Sequence, residues 1–290
     1  MKTEDLTPVI AIDLGGTKIA VASVSERGTV RQRMEEPVDR SSALEQIVRM
    51  AREIDGEAVG VAVPGLVRRD GTVWAPNLPG WDRVPLAREL KRKLRLPVFV
   101  ESDRNAVVLG ESWRGAARGK SDVIVLMVGT GIGAGILSGG NIVRGAHELS
   151  GCAGWMVVSD EANEMTSRVG ALESLASGPA IARVARAESA LAVAIRARKG
   201  QRDAVDALKA AARQLGRAIA NLVSLFDPEI IVMTGGLMNA GDLFLDDVKH
   251  SAREFAQPLS FPHVEIVIST LGTEANLLGA ARLALTEDRR

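Results

Sequence analysis

The chain has 290 residues with Lys+Arg and Asp+Glu at 36 each, so it is long enough for two domains but carries no net basic charge to draw it to nucleic acid or an anionic membrane. One cysteine, Cys152, excludes an intramolecular disulfide framework, and the lack of Tyr with 3% aromatics argues against a stacking platform for single-stranded nucleic acid. No apolar run reaches the ~18 residues of a bilayer span and no signal-peptide h-region follows Met1, so a cytoplasmic globular protein without nucleic-acid or membrane partners is expected.

Two runs of strand composition, Val9 to Ile12 and Ile19 to Val24, enclose the turn Asp13-Leu14-Gly15-Gly16-Thr17-Lys18. β-Branched and small residues favour the strands, and paired glycines allow positive φ and close approach to a ligand. Backbone N–H groups in such a turn can cradle an anion, Thr17 and Lys18 add a hydroxyl and a cation, and Asp13 could hold hydrated Mg²⁺ beside the same phosphates. The alternative is a plain Gly-Gly hairpin with a surface lysine. The P-loop spacing GxxxxGK[ST] is absent.

Gly28 turns toward a third strand, Val30 to Met34, and Ser41 to Ile54 has apolar residues at helical spacing before the strand Ala58 to Val63. Pro64-Gly65 opens a loop-rich segment to Trp81, and loops at strand ends are where α/β proteins bind ligands. An amphipathic helix is expected over Pro85 to Leu94, then a short strand, Pro97 to Val100, delivering Glu101-Ser102-Asp103-Arg104-Asn105 to a helix from Ala106 to Trp113. Asp103 at that junction could be a helix N-cap or a functional carboxylate.

The opening pattern then returns, with Val123 to Val128 as a strand, Gly129-Thr130-Gly131-Ile132-Gly133 as a second Gly-rich turn, and Ala134 to Leu137 as the strand leaving it. Residues 144 to 170 read as irregular. Ser177 to Phe226 is Ala-rich and helical by propensity, with a break at Gly200. Pro228 to Met233 is a buried strand closed by a third glycine turn at Gly235-Gly236, Val264 to Ser269 is a last strand, and a helix closes the chain. Two hairpins of one kind suggest two similar domains, 1–115 and 116–273, with the final helix, 274–290, packing back on the first.

Three glycine turns and the Asp103 junction together resemble the ROK sugar kinases and repressors, from about Val9 to Leu285. The resemblance implies two actin-like ATPase (ribonuclease H-like) α/β domains around an interdomain cleft, and transfer of phosphate from ATP, with Mg²⁺, to a sugar hydroxyl. It assigns Asp13, Gly15, Gly16, Thr17, Lys18 and Gly129, Thr130, Gly131, Gly133 to the phosphates and Gly235-Gly236 to the adenine. Gly65, Asn77 and Ser102 border the sugar, and Asp103, on the family's Asn-Asp-x-Asn-Ala motif, is the general base. A homodimer is the expected assembly, and polyphosphate is a second possible donor.

Departures from the family pattern carry information of their own. The family's Gly-Glu-x-Gly-His sugar clamp falls on Gly151-Cys152-Ala153-Gly154-Trp155, so a carboxylate becomes a thiol and an imidazole becomes an indole that only donates. A shifted register would bring His147-Glu148 to the clamp at the cost of a gap. The family's zinc ligands fall on Trp155, Glu164, Thr166 and Ala171, so no zinc site is expected. Glu173 survives as the second sugar-binding acid, or is an ordinary helix-surface residue. Ser102 replaces an Asn, and Arg104 beside the base faces solvent or pairs with an anionic substrate group. Exchange of both clamp residues predicts a substrate other than unmodified glucose, a sugar or sugar-like polyol, because a pocket's polar groups select matching hydroxyls. The alternative is a sensor that binds sugar or nucleotide with weak catalysis. With the first strand starting by Val9, no room is expected ahead of it for a helix-turn-helix.

Overall fold

The computed structural model describes residues 8–160, 162 and 164–287. Contacts divide the chain into two units. The first runs to Gly119 and takes in Arg144–Leu149 and the chain from Thr273 onward; the second comprises Lys120–Val143 and Ser150–Gly272.

In the first unit, β1 (Val9–Leu14), β2 (Lys18–Val24) and β3 (Val30–Pro37) form an antiparallel meander, and β4 (Val59–Val63) pairs parallel to β1. A two-stranded hairpin follows, β5 (Leu66–Val67) with β6 (Val73–Trp74), and β7 (Val98–Ser102) then pairs parallel to β4. The sheet order is β3-β2-β1-β4-β7. Helices α1 (Ala43–Ala51) and α2 (Leu86–Leu94) bury Ile47, Met50, Leu86 and Leu90 with the sheet's Ile10, Ile12 and Val61 in one core. Helix α3 (Asp103–Arg114) leaves β7 directly.

The terminal helix, Glu274–Glu287, belongs to this unit, and the remainder of the expected 274–290 span lies outside the described residues. It packs backbone to backbone. A methyl group on Gly279 would sit 1.7 Å from the Ala106 carbonyl oxygen of α3, and one on Gly60 of β4 would sit 1.8 Å from that of Ala280. Glycine at both crossings is what allows this approach.

The second unit repeats the topology. β8 (Val123–Val128), β9 (Ile132–Ser138) and β10 (Asn141–Ile142) form an antiparallel meander, and β11 (Ile230–Thr234) and β12 (Glu265–Ile268) add parallel strands in the order β10-β9-β8-β11-β12. Its helices are α4 (Thr166–Val169), α5 (Ala171–Ala176), α6 (Gly178–Val184), α7 (Ala190–Arg198), α8 (Arg202–Phe226) and α9 (Leu245–Phe255). A core of Ile124, Leu126, Leu172, Leu215 and Ile231 joins them to the sheet.

Three expectations are corrected. The Ala-rich stretch breaks before α7 as well as at Gly200, because Ser177 and Ser189 restart helices by accepting from the N–H groups of Ala180 and Ala192. The span 144–170 is not wholly irregular, since a 3₁₀ turn occupies Ala153–Trp155 and α4 precedes Gly170. Helix α3 starts at Asp103 rather than Ala106; Ser102 is its cap, its hydroxyl accepting from Asn105 N–H at 3.4 Å, so capping is not the role of Asp103. Among the described residues no helix is long and apolar enough to cross a membrane.

Candidate active site

In the first unit, the acid of the opening turn and the acid of the strand-to-helix junction come together. Asp13 is the penultimate residue of β1, paired with Ala20 on one side and Ala62 on the other. Burial pushes its carboxyl up to about 7, and the negative charge of Asp103 pushes the same way, against a hydrogen bond from Asn276 and the positive charges of Lys18 and Arg33. Asp103 is raised to about 6, again mainly by burial, opposed by Arg104 through its charge and its backbone N–H, which donates to Oδ1 at 2.8 Å. Two neighbouring carboxyls held above their ordinary range at one sheet end make this end of the sheet the candidate site.

The turn is closed by the Gly15 N–H donating to the Lys18 carbonyl at 2.9 Å, with Thr17 exposed. Lys18 is engaged with Glu35 at 3.0 Å, and Arg33 bridges Glu35 and Glu274 at 3.0 and 3.2 Å. The amide of Asn77 lies near the turn, 3.7 Å from where a Gly16 methyl would stand. Gly65 needs its positive φ of 120°, and a methyl there would meet the Trp74 carbonyl oxygen at 2.2 Å.

Two residues here escaped the sequence reading. Asn276 reaches Asp13 from the terminal helix, and its Oδ1 is buried with no hydrogen-bond partner among the described residues. Arg40 donates to the Gly16 carbonyl at 3.3 Å, placing an exposed cation at the turn. The signal for Asn276 was its polarity within the otherwise apolar run Ala275 to Ala281; Arg40 gave none. A raised carboxyl beside an orphaned amide oxygen suits a hard, hydrated cation such as Mg²⁺, which takes oxygen donors and keeps several waters.

In the second unit, the Gly129 N–H donates to the Gly131 carbonyl at 3.0 Å, and Gly178 N–H donates to the Gly129 carbonyl at 2.8 Å. A cavity of about 390 Å³ opens here, lined by Gly129, Thr130, Gly178, Pro179, Leu191 and Gly236 among others. A larger one, about 740 Å³, lies between α8 and α9 around Arg213, Arg217 and Phe255 and contains none of the expected site residues. Gly235 turns at φ 96°, its α-carbon against the Val128 backbone, and so keeps the third glycine turn beside the second.

Glu173 is a brace in this unit. Its Oε2 accepts from Ile132 N–H at 2.7 Å, and methyl groups on Gly131 and Gly154 would lie 2.9 and 3.0 Å from the same oxygen. It therefore touches both the glycine turn and the stretch holding Cys152 and Trp155. Burial raises its carboxyl and the Ile132 hydrogen bond opposes that. Trp155 is 56% exposed, so its indole fills no cavity of its own unit. Glu148, the shifted-register candidate, is ion-paired to Arg69 at 3.0 Å. Ala171 is buried, Thr166 begins α4, and among the described residues no three His, Cys, Asp or Glu side chains are gathered to hold a metal.

Comparison with known proteins gives the family. The ROK family model matches residues 9–287. The chain is 32% identical to a glucokinase of Thermotoga maritima, covering 95% of this chain and 96% of that one, and 34% identical to a glucokinase of Streptomyces coelicolor, covering 96% and 98%. Among solved structures, a ROK family glucokinase from Streptomyces griseus in complex with glucose and AMPPNP is similar with a TM-score of 0.81, 31% identity and coverage of 96% and 99%.

Proposed function

The chain belongs to the ROK family and is a carbohydrate kinase of the actin-like ATPase fold, and we propose that it moves the γ-phosphoryl group of ATP to a hydroxyl of a sugar or sugar-like polyol, with Asp103 as general base. The observation that carries this reading is the Asp103 carboxyl itself. It sits in the first turn of α3, raised to about 6, so that near neutral pH it is ionised and still basic enough to take a proton. As the substrate oxygen bonds to the γ-phosphorus, its proton passes to Asp103, the bond to the β,γ-bridging oxygen breaks, and ADP leaves.

Phosphoryl transfer asks the protein for alignment and charge dispersal more than for covalent chemistry. Backbone N–H groups of Gly16 and Thr17 and of Thr130 and Gly131 serve the phosphates, and the cavity beside Gly236 takes the adenine. Asp13, with Asn276 beside it, is the residue that would hold hydrated Mg²⁺, whose chemistry there is to neutralise the transferring phosphates. Cys152 and Trp155, standing where relatives use polar clamp groups, direct the site away from unmodified glucose.

The test is ADP release with ATP and Mg²⁺ against a panel of hexoses, amino sugars, N-acetyl sugars and polyols, run beside Asp103→Asn. Turnover with at least one panel member, cut about 10²–10⁴-fold in the variant with nucleotide binding intact, is expected. An equally active Asp103→Asn would remove the base from the mechanism, and glucose as the best substrate would overturn the reading of Cys152 and Trp155.

A further inference from the structure

Glu101 is a buried carboxylate, with 8% of its side chain exposed, at the end of β7 and two residues before Asp103. Its bonding capacity is fully used. Oε1 accepts from Ser102 N–H at 2.8 Å and from the Asn105 side-chain amide at 3.0 Å, and Oε2 accepts from Arg144 Nε at 3.0 Å and Nη2 at 2.7 Å. Both neutral donors flank Asp103, whereas among the described residues the Asp103 carboxylate takes its hydrogen bonds locally, from backbone N–H groups. What fixes this strand-to-helix junction is therefore Glu101, and what holds Glu101 in place is the Arg144 fork.

Arg144 comes from far along the chain. It opens the segment Arg144–Leu149, which belongs to the first unit and leads straight into Ser150 of the second, five residues before Trp155. Glu148 holds the other end of this segment to Arg69 at 3.0 Å, at the surface. The two ion pairs are unequal. Arg69 is 72% exposed, so its pair is worth ~0–1 kcal/mol, whereas loss of Arg144 would leave a buried carboxylate with two neutral donors. Glu101 would then turn outward toward water, and Ser102 and Asn105 lose their anchor.

We propose that Glu101 and Arg144 are positioning residues that set Asp103 and Ser102 for the sugar hydroxyl, and that the segment Arg144–Leu149 ties the chain leading to Cys152 and Trp155 to the base. This rests on Asp103 being the general base. Displacement of a reacting group by about 1 Å can cost ~10²-fold in rate, so Arg144→Met is expected to lower kcat/KM for the sugar about 10²-fold, mostly in kcat. Arg144→Lys, which keeps the charge without the fork, should recover about tenfold of that. Nucleotide affinity, read with a fluorescent ATP analogue, should stay within about twofold in both, and Arg69→Ala should match the parent. Arg144→Met within threefold of the parent, or losing nucleotide affinity in proportion to turnover, would overturn the proposal. Asp103→Asn in the same series separates the premises: if it stays active the base reading fails, and if it is dead while Arg144→Met is active, only the positioning role fails.

Discussion

Asp13 in the first hairpin and Met127 in the second occupy the same place, the penultimate position of the strand that enters a three-residue turn. The turns are Gly15-Gly16-Thr17 and Gly129-Thr130-Gly131, and the residue leaving them is Lys18 in one and Ile132 in the other. One topology thus carries two different loads. Around the first turn gather Asp13, Lys18, Arg40 and Asn276, all charged or amide groups. The second offers backbone donors in a mainly apolar setting, stiffened by one carboxylate, Glu173, that reaches over from α5. The glycine turn is common to both hairpins, and the acid at the strand end is an addition found only in the first.

The largest effect should come from abolishing that addition. Asp13→Asn keeps the shape and removes the charge, so turnover is expected to fall about 10²–10³-fold, the usual loss on deleting one preorganised electrostatic group. Without Mg²⁺ the same change should stabilise the fold, with a definite pH dependence. The Asp13 carboxyl is raised from 3.8 to about 7, so between these values the unfolded chain has released a proton that the folded chain still holds. Wild-type stability therefore falls as pH rises through that window, and the melting-temperature advantage of Asp13→Asn should be absent near pH 4, grow with pH, and level off above 7. Mg²⁺ should raise the wild-type melting temperature at pH 8 and leave the variant unmoved. Equal melting curves at pH 8 without metal would show that the carboxyl is not held up by its surroundings.

A smaller effect is expected from Glu173. If it braces the second turn, Glu173→Ala frees the Ile132 N–H and should weaken ATP about tenfold, in keeping with ~1.5–3 kcal/mol for a hydrogen bond to a charged group, discounted for partial exposure. Glu173→Gln retains an acceptor oxygen and should stay within about threefold. Should the sugar KM rise in Glu173→Gln while the ATP KM holds, the carboxylate is a sugar ligand first and a brace second. The two outcomes divide cleanly because only the brace role is satisfied by a neutral oxygen.

The hairpins were readable because their signals are local: β-branched strands, glycine turns, and a second copy of the same pattern. The same holds for Asp103, which stands where a short strand meets a helix. Asn276 and Arg144 were not readable, since each acts on a residue distant in sequence and only the packing shows it. Asn276 reaches Asp13 because Gly60 and Gly279 let the terminal helix approach β4 and α3 without side chains between. Ala-rich helix propensity likewise hides breaks, and only the caps at Ser177 and Ser189 place them.

The most specific expected change concerns Cys152 and Trp155. Cys152 precedes the 3₁₀ turn Ala153–Trp155, whose backbone is pinned by Trp155 N–H donating to the Cys152 carbonyl at 3.1 Å and by Gly154 lying against Glu173. The backbone of the clamp is thus fixed independently of its side chains, and exchanging them should leave the turn standing. Trp155 at 56% exposure presents an indole face that can lie against the C–H face of a ring, and the small thiol of Cys152 leaves room for a substituent. Cys152→Glu with Trp155→His restores an acceptor and an imidazole without touching Asp103, Asp13 or either turn. Glucose or mannose phosphorylation should then appear or rise by about 10–10²-fold, because adjacent ring hydroxyls regain partners whose absence disfavours them. The parent's preferred substrate should fall by a similar factor as its aromatic contact goes. A folded double variant that binds ATP yet gains no hexose activity would move substrate choice to Ser102 and Arg104, the residues that flank Asp103 in the chain.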